Sequence, residues 1–146
     1  EVTTEVMTTE VSTTEDVTLS GQFTDDSFYV SDLKWAEAGC YTTIQVTDLT
    51  GSINWETKTI SSGNVSFKAW LNSPNLITGD PNDAVKFDDE SKTLSAIDSA
   101  VQYIERTGSG GILWVYGDKP EIEVVVPAYT PATTYHGVIT YTLYEN

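Results

Sequence analysis

"EIEVVVPAYTPATTYHGVITYTLYEN", Glu121 to Asn146, reads as two extended segments joined by a proline-bracketed corner. In the first segment Ile122, Val124 and Val126 fall on one face, while Glu121 and Glu123 fall on the other, toward solvent. In the last, Tyr135, Gly137, Ile139, Tyr141 and Leu143 share a face. A period of two residues, carried by β-branched and aromatic side chains, is the mark of half-buried strands. Between them "PAYTPAT", residues 127–133, is held by two prolines of fixed φ and predicts a corner between strands.

The pattern continues toward the N-terminus. "FYVSDLKW" (Phe28–Trp35), "YTTIQVTDL" (Tyr41–Leu49), "INWETKTI" (Ile53–Ile60), "SFKAWL" after a turn at Gly63–Val65, and "ILWVY" after "GSGG" all read as strands. Short strands with turn punctuation between them predict an all-β fold, an antiparallel β-sandwich of immunoglobulin-like or jelly-roll-like kind. Ser73–Lys92 carries two Pro, one Gly and many Asx residues and reads as a long loop. Thr93–Thr107 is open between two conformations. Leu94, Ile97, Val101 and Ile104 have helical spacing, yet Val101, Tyr103 and Glu105 alternate against Gln102 and Ile104 as a strand would.

The start of the chain, "EVTTEVMTTEVSTTEDVTLSG" (Glu1–Gly21), is too polar for a core and too β-prone for an indifferent tail. Val2, Thr4, Val6 and Thr8 fall on one face of an extended chain. After Glu10 the parity changes, which predicts two short strands or one strand with a bulge. The expected division is therefore an N-terminal extension over residues 1–20 and a β-domain over 21–146. Three fates are open to the extension. It is donated to the open sheet edge of another copy, it pairs within its own domain, or it forms a solvated Thr-rich stalk.

Composition bounds the partners. The 146 residues suffice for one domain with its own core. Seven Lys and Arg stand against 22 Asp and Glu, a formal net charge of -15, and such a field repels phosphate backbones and anionic membranes. Nucleic acid is therefore not expected as a partner. No apolar run is long enough to span a bilayer, and no stretch reads as a signal peptide. An acidic, Thr-rich start without Met fits a mature secreted chain. Cys40 is the single cysteine, so no intrachain disulfide forms, and it reads as a small packed hydrophobe.

"VVVPAYTPATTYHGVITYTLYEN" resembles the closing hairpin of bacterial and archaeal surface β-sandwich proteins of the spore-coat-U-like and pilin-like kind. "YTTIQVTDLTG" and the Gly-rich stretch before "ILWVYG" resemble the middle of secreted proteins of the same style. One departure is Ala132-Thr133-Thr134 before Tyr135, where that pattern carries Gly. The resemblance implies an extracellular homopolymer joined head to tail, each subunit giving its N-terminal strand to the next. On that reading Val2, Val6, Met7 and Val11 are donated side chains, and Ile139, Tyr141 and Leu143 line the acceptor groove.

The remaining candidates each have a plainer reading. Asp80, Asn82 and Asp83 open an acidic loop with oxygen ligands suited to Ca2+, without the Gly and Glu of an EF-hand; a solvated acidic loop explains them as well. Asn64-Val65-Ser66 is an N-glycosylation sequon. His136, the only histidine, is expected at a surface or edge position, and no nucleophile elbow, zinc motif or phosphate loop accompanies it, so no enzymatic activity is expected. Four Trp and eight Tyr offer the alternative of a carbohydrate-binding or adhesin-type module, provided that they stand exposed rather than between sheets.

Overall fold

The structure, a computed structural model, describes residues 2–8, 14–23, 28–32, 39–69, 75–78, 85–87, 95–106 and 114–145. Fourteen strands are found among them, with one 3-10 turn at Ser62–Asn64 and no α-helix. They are β1 (Val2–Thr8), β2 (Val17–Gln22), β3 (Phe28–Asp32), β4 (Cys40–Val46), β5 (Leu49–Ile53), β6 (Glu56–Ile60) and β7 (Val65–Lys68). There follow β8 (Asn75–Thr78), β9 (Val85–Phe87), β10 (Ser95–Ala96), β11 (Val101–Arg106), β12 (Trp114–Asp118), β13 (Glu121–Val126) and β14 (Thr134–Glu145). The protein is all-β, and its strand pairs are antiparallel.

A seven-stranded sheet runs β6-β5-β14-β4-β11-β9, with β1 laid along β14; a second has the order β10-β7-β13-β2, and a third β3-β12-β8. The first two sheets share one core. Ile44, Val46, Leu49, Tyr103, Ile104 and Ile139 enter it from the first, and Val65, Phe67, Ile122, Val124 and Val126 from the second. The parity read for Ile122, Val124 and Val126 holds: all three are buried, and Glu121 turns outward to pair with Lys68 at 2.9 Å. The corner at 127–133 carries the chain from the second sheet to the first. Tyr135, buried at the start of β14, donates its hydroxyl to the Pro131 carbonyl at 2.9 Å and pins it. The last two segments are thus not a hairpin: β13 pairs with β2 and β7, while β14 pairs with β4, β5 and β1.

Thr93–Thr107 resolves toward strand, with β10 and β11 inside it. Its mixed periodicity comes from a bulge. Between Gln102 and Glu105 the register of β11 on β4 shifts by one, so Tyr103 and Ile104, adjacent in sequence, are both buried. The interrupted ladder is repaired by a side chain, because the Ile104 N–H donates to the hydroxyl of the fully buried Thr42 at 3.0 Å. Thr47 does the same between β4 and β5, where its hydroxyl accepts the Val138 N–H at 3.0 Å.

Two sequence expectations are corrected. The loop expected over Ser73–Lys92 contains β8 and β9, short runs set among Pro and Asx residues. "INWETKTI" is not one strand. β5 ends at Ile53 and β6 begins at Glu56, opposite it, with Asn54 and Trp55 forming the turn between them. The boundary expected at residue 20 falls within β2, whose Val17–Gln22 pairs along all of β13.

Candidate assembly interface

β14 is the hub of the first sheet, and each of its edges is used differently. One edge takes β4, with Ile139 opposite Val46 and Glu145 opposite Cys40, and then β5, with His136 opposite Thr50. Approach on this side is close: a Cβ on Gly137 would meet a terminal methyl of Leu49, which would have to shift. The other edge takes β1, with Val2 opposite Ile139, Thr3 opposite Val138, Thr4 opposite Gly137 and Glu5 opposite His136. The register slips before Thr8, which stands opposite Thr134, so Val6 and Met7 together face the single residue Tyr135. This slip lies within β1; the parity change expected after Glu10 lies outside the described residues.

In the single chain, then, the N-terminal strand pairs with its own β14. β1 has no other strand partner among the described residues and forms an edge of the sheet. Beyond it, Asp16 anchors the entry to β2 on the corner, its carboxylate accepting the Ala128 N–H at 2.8 Å. Val11 lies outside the described residues. Of the proposed groove residues, Ile139 is buried in the core and Tyr141 is half-buried against it, whereas Leu143, of the same parity, is exposed as the core tapers.

Tyr141 belongs to a polar cluster within the core. Its ring meets that of Tyr103 edge-on at 6.1 Å, and the Tyr103 hydroxyl donates to the fully buried Asp118 carboxylate at 2.5 Å. The bond ties β12 of the third sheet to β11 of the first. Burial pushes the Tyr103 hydroxyl far above the usual phenol range, and the neighbouring Asp118 charge adds to the shift. Burial raises Tyr141 too, with the nearby Thr42 hydroxyl pulling the other way. Tyr103 and Asp118 are closed to solvent, and their bond joins the two sheets.

The other candidates separate. His136 is exposed on β14, as expected. Cys40 is half-buried and packs against the core. Asn64 lies half-buried in the 3-10 turn, donating its N–H to the Ser61 carbonyl at 2.9 Å. Next to it, Asp48 accepts the Ser62 N–H at 2.7 Å, a bond that lowers its carboxyl below the ordinary range. Asp80, Asn82 and Asp83 lie outside the described residues. Among those described, no group of three or more His, Cys, Asp and Glu is placed to hold a metal, and no helix is long and apolar enough to cross a membrane.

Of the four tryptophans, Trp35 and Trp70 lie outside the described residues, and Trp114 is in β12. Trp55, expected within a strand, stands instead at the β5–β6 turn, where it is 100% exposed. Its signal in the sequence was the Asn before it, a residue that favours a left-handed hairpin turn. Comparison with known proteins finds no matching protein family, curated protein or solved structure.

Proposed function

We propose that the protein is the structural subunit of an extracellular homopolymer, in which β1 leaves its own β14 and occupies the same edge of β14 in the next copy. The observation that carries this reading is the isolation of β1. Among the described residues it is an edge strand whose one strand partner is β14, and it is joined to the body through the residues between Thr8 and Val17. That connection reaches roughly 30 Å if extended. A strand in trans makes the same backbone bonds as in cis, so exchange costs little beyond association itself. Given head to tail, such exchange does not close and grows a filament. The net charge of -15 keeps filaments apart at low salt.

Deleting residues 1–15 tests the proposal, since it retains Asp16 and its bond to the corner. The full chain should form large polymers visible by electron microscopy, in a concentration-dependent way. The truncated protein should stay monomeric and capture a synthetic peptide of residues 1–15. Polymers from the truncated protein, or a full-length chain that stays monomeric at all concentrations, overturn the reading.

A further inference from the structure

Three described residues other than glycine have positive φ, namely Asn54 (49°), Trp55 (68°) and Tyr129 (61°). Asn54 and Trp55 are the two central residues of the β5–β6 hairpin, and two positive φ values make it a type I′ turn. Asn suits the first position; the second belongs to glycine, because a Cβ in the left-handed region is strained. Here it carries the largest side chain, wholly in solvent, so burial offsets none of the strain.

The corner repeats this arrangement independently. Thr130 donates its N–H to the Pro127 carbonyl at 3.1 Å, closing a turn whose third residue is Tyr129. With Ala128 outside the left-handed region, this is the type II pattern, whose third position again favours glycine. Tyr129 is 71% exposed. The corner meets β5 close to its turn. Thr133 donates its hydroxyl to the Ser52 carbonyl at 3.0 Å, and Trp55 lies only three residues of strand and turn, roughly 10 Å, beyond Ser52.

Two exposed aromatic side chains, held where folding alone would place glycine, point to a ligand. Its size follows from area. Trp and Tyr offer about 150–250 Å² each, well short of the roughly 800 Å² per partner of a stable protein interface. Its charge follows from the surroundings: Asn54, Thr130 and Thr133 are neutral, Lys58 and Glu56 pair at 2.6 Å, the Asp16 carboxylate is engaged by the Ala128 N–H, and the molecule as a whole repels anions. A small neutral ligand with flat apolar faces and a rim of hydroxyls fits this surface. We propose that Trp55 and Tyr129 form a binding site for neutral oligosaccharides, each aromatic ring stacking on the face of a pyranose. The proposal does not depend on whether β1 is exchanged between copies.

Trp55→Gly, Tyr129→Gly and the double variant test it on the full-length chain. Each restores the residue the turn favours, so each should melt at the same temperature as the parent or higher. The probes are cellohexaose, chitohexaose, xylohexaose and mannohexaose, with a heparin hexasaccharide as the anionic control, titrated by calorimetry. Saturable binding to at least one neutral hexasaccharide is expected, weakened about tenfold in each single variant and lost in the double. The proposal is overturned if the parent binds none of the four, if it prefers heparin, or if the double variant binds as the parent does. A fall in sedimentation coefficient in the double variant without sugar would identify the turns as a contact between copies, and also overturns it.

Discussion

Thr3 stands opposite Val138 across β1 and β14. Val138 exchanges bonds with Thr47 on its other side, giving its N–H to the Thr47 hydroxyl and accepting the Thr47 N–H at its carbonyl. Both polar groups of one residue point to the same edge of a strand, so Val138 turns its own away from β1. Thr3–Val138 is therefore a non-hydrogen-bonded pair, with Cα atoms about 4.5 Å apart. Cysteines at such positions are within disulfide reach. In a Cys40→Ala background, Thr3→Cys with Val138→Cys should oxidise to a ladder of covalent multimers on a non-reducing gel if β1 is exchanged. Covalently closed monomers alone would place the strand permanently in its own subunit.

The same geometry makes Val2–Ile139 and Thr4–Gly137 the hydrogen-bonded pairs. The Thr4 N–H then belongs to the ladder, whereas that of Thr3 faces the free edge. Thr4→Pro should remove a ladder bond and loosen β1 by about 1–2 kcal/mol, while Thr3→Pro should be nearly silent. Amide hydrogen exchange over residues 2–8 reads the difference. Equal loss of protection in the two variants would mean that the register is wrong.

Thr42 offers a test of the bulge. Thr42→Val keeps the shape but leaves the buried Ile104 N–H without its acceptor, at about 1–3 kcal/mol. Thr42→Ser keeps the acceptor and should lose less than half as much. Thr47→Val deprives the Val138 N–H in the same manner, but Thr47 is exposed and water can substitute, so its urea midpoint should move less.

These bulges also mark where the sequence stopped being legible. Alternation alone identified the core face of β13 and most of that of β14, because both run without interruption against the core. Across β11 it failed, since one extra residue brought Tyr103 and Ile104 into the core together and imitated a helical spacing. Nothing in "AVQYIERT" announces that Thr42, more than fifty residues away, will supply the missing acceptor. The pairing of β1 was equally hidden, as Val-Thr alternation suits an edge in either the same copy or another. Trp55 was misplaced for a different reason: hydrophobicity argues for burial, and only the turn geometry shows that it stands in water.

The buried phenols predict how stability depends on pH. In the unfolded chain tyrosine ionises near its ordinary value of 10.0, whereas in the folded protein Tyr103 and Tyr141 are held protonated well above it by burial. Above pH 10 the native state therefore binds more protons than the unfolded state. The stability these groups contribute is fully present below that pH and is lost as pH rises toward their folded values, at about 1.4 kcal/mol per pH unit for each. Urea midpoints between pH 9 and 11.5 should fall accordingly, while folded-state phenolate absorbance should show Tyr103 and Tyr141 un-ionised over that range. Tyr103→Phe should remove its share of that slope. At neutral pH it should also destabilise by about 1.5–3 kcal/mol, because Asp118 loses a hydrogen bond in a buried site. An unchanged alkaline slope in Tyr103→Phe would show that the phenol is not sealed between the sheets.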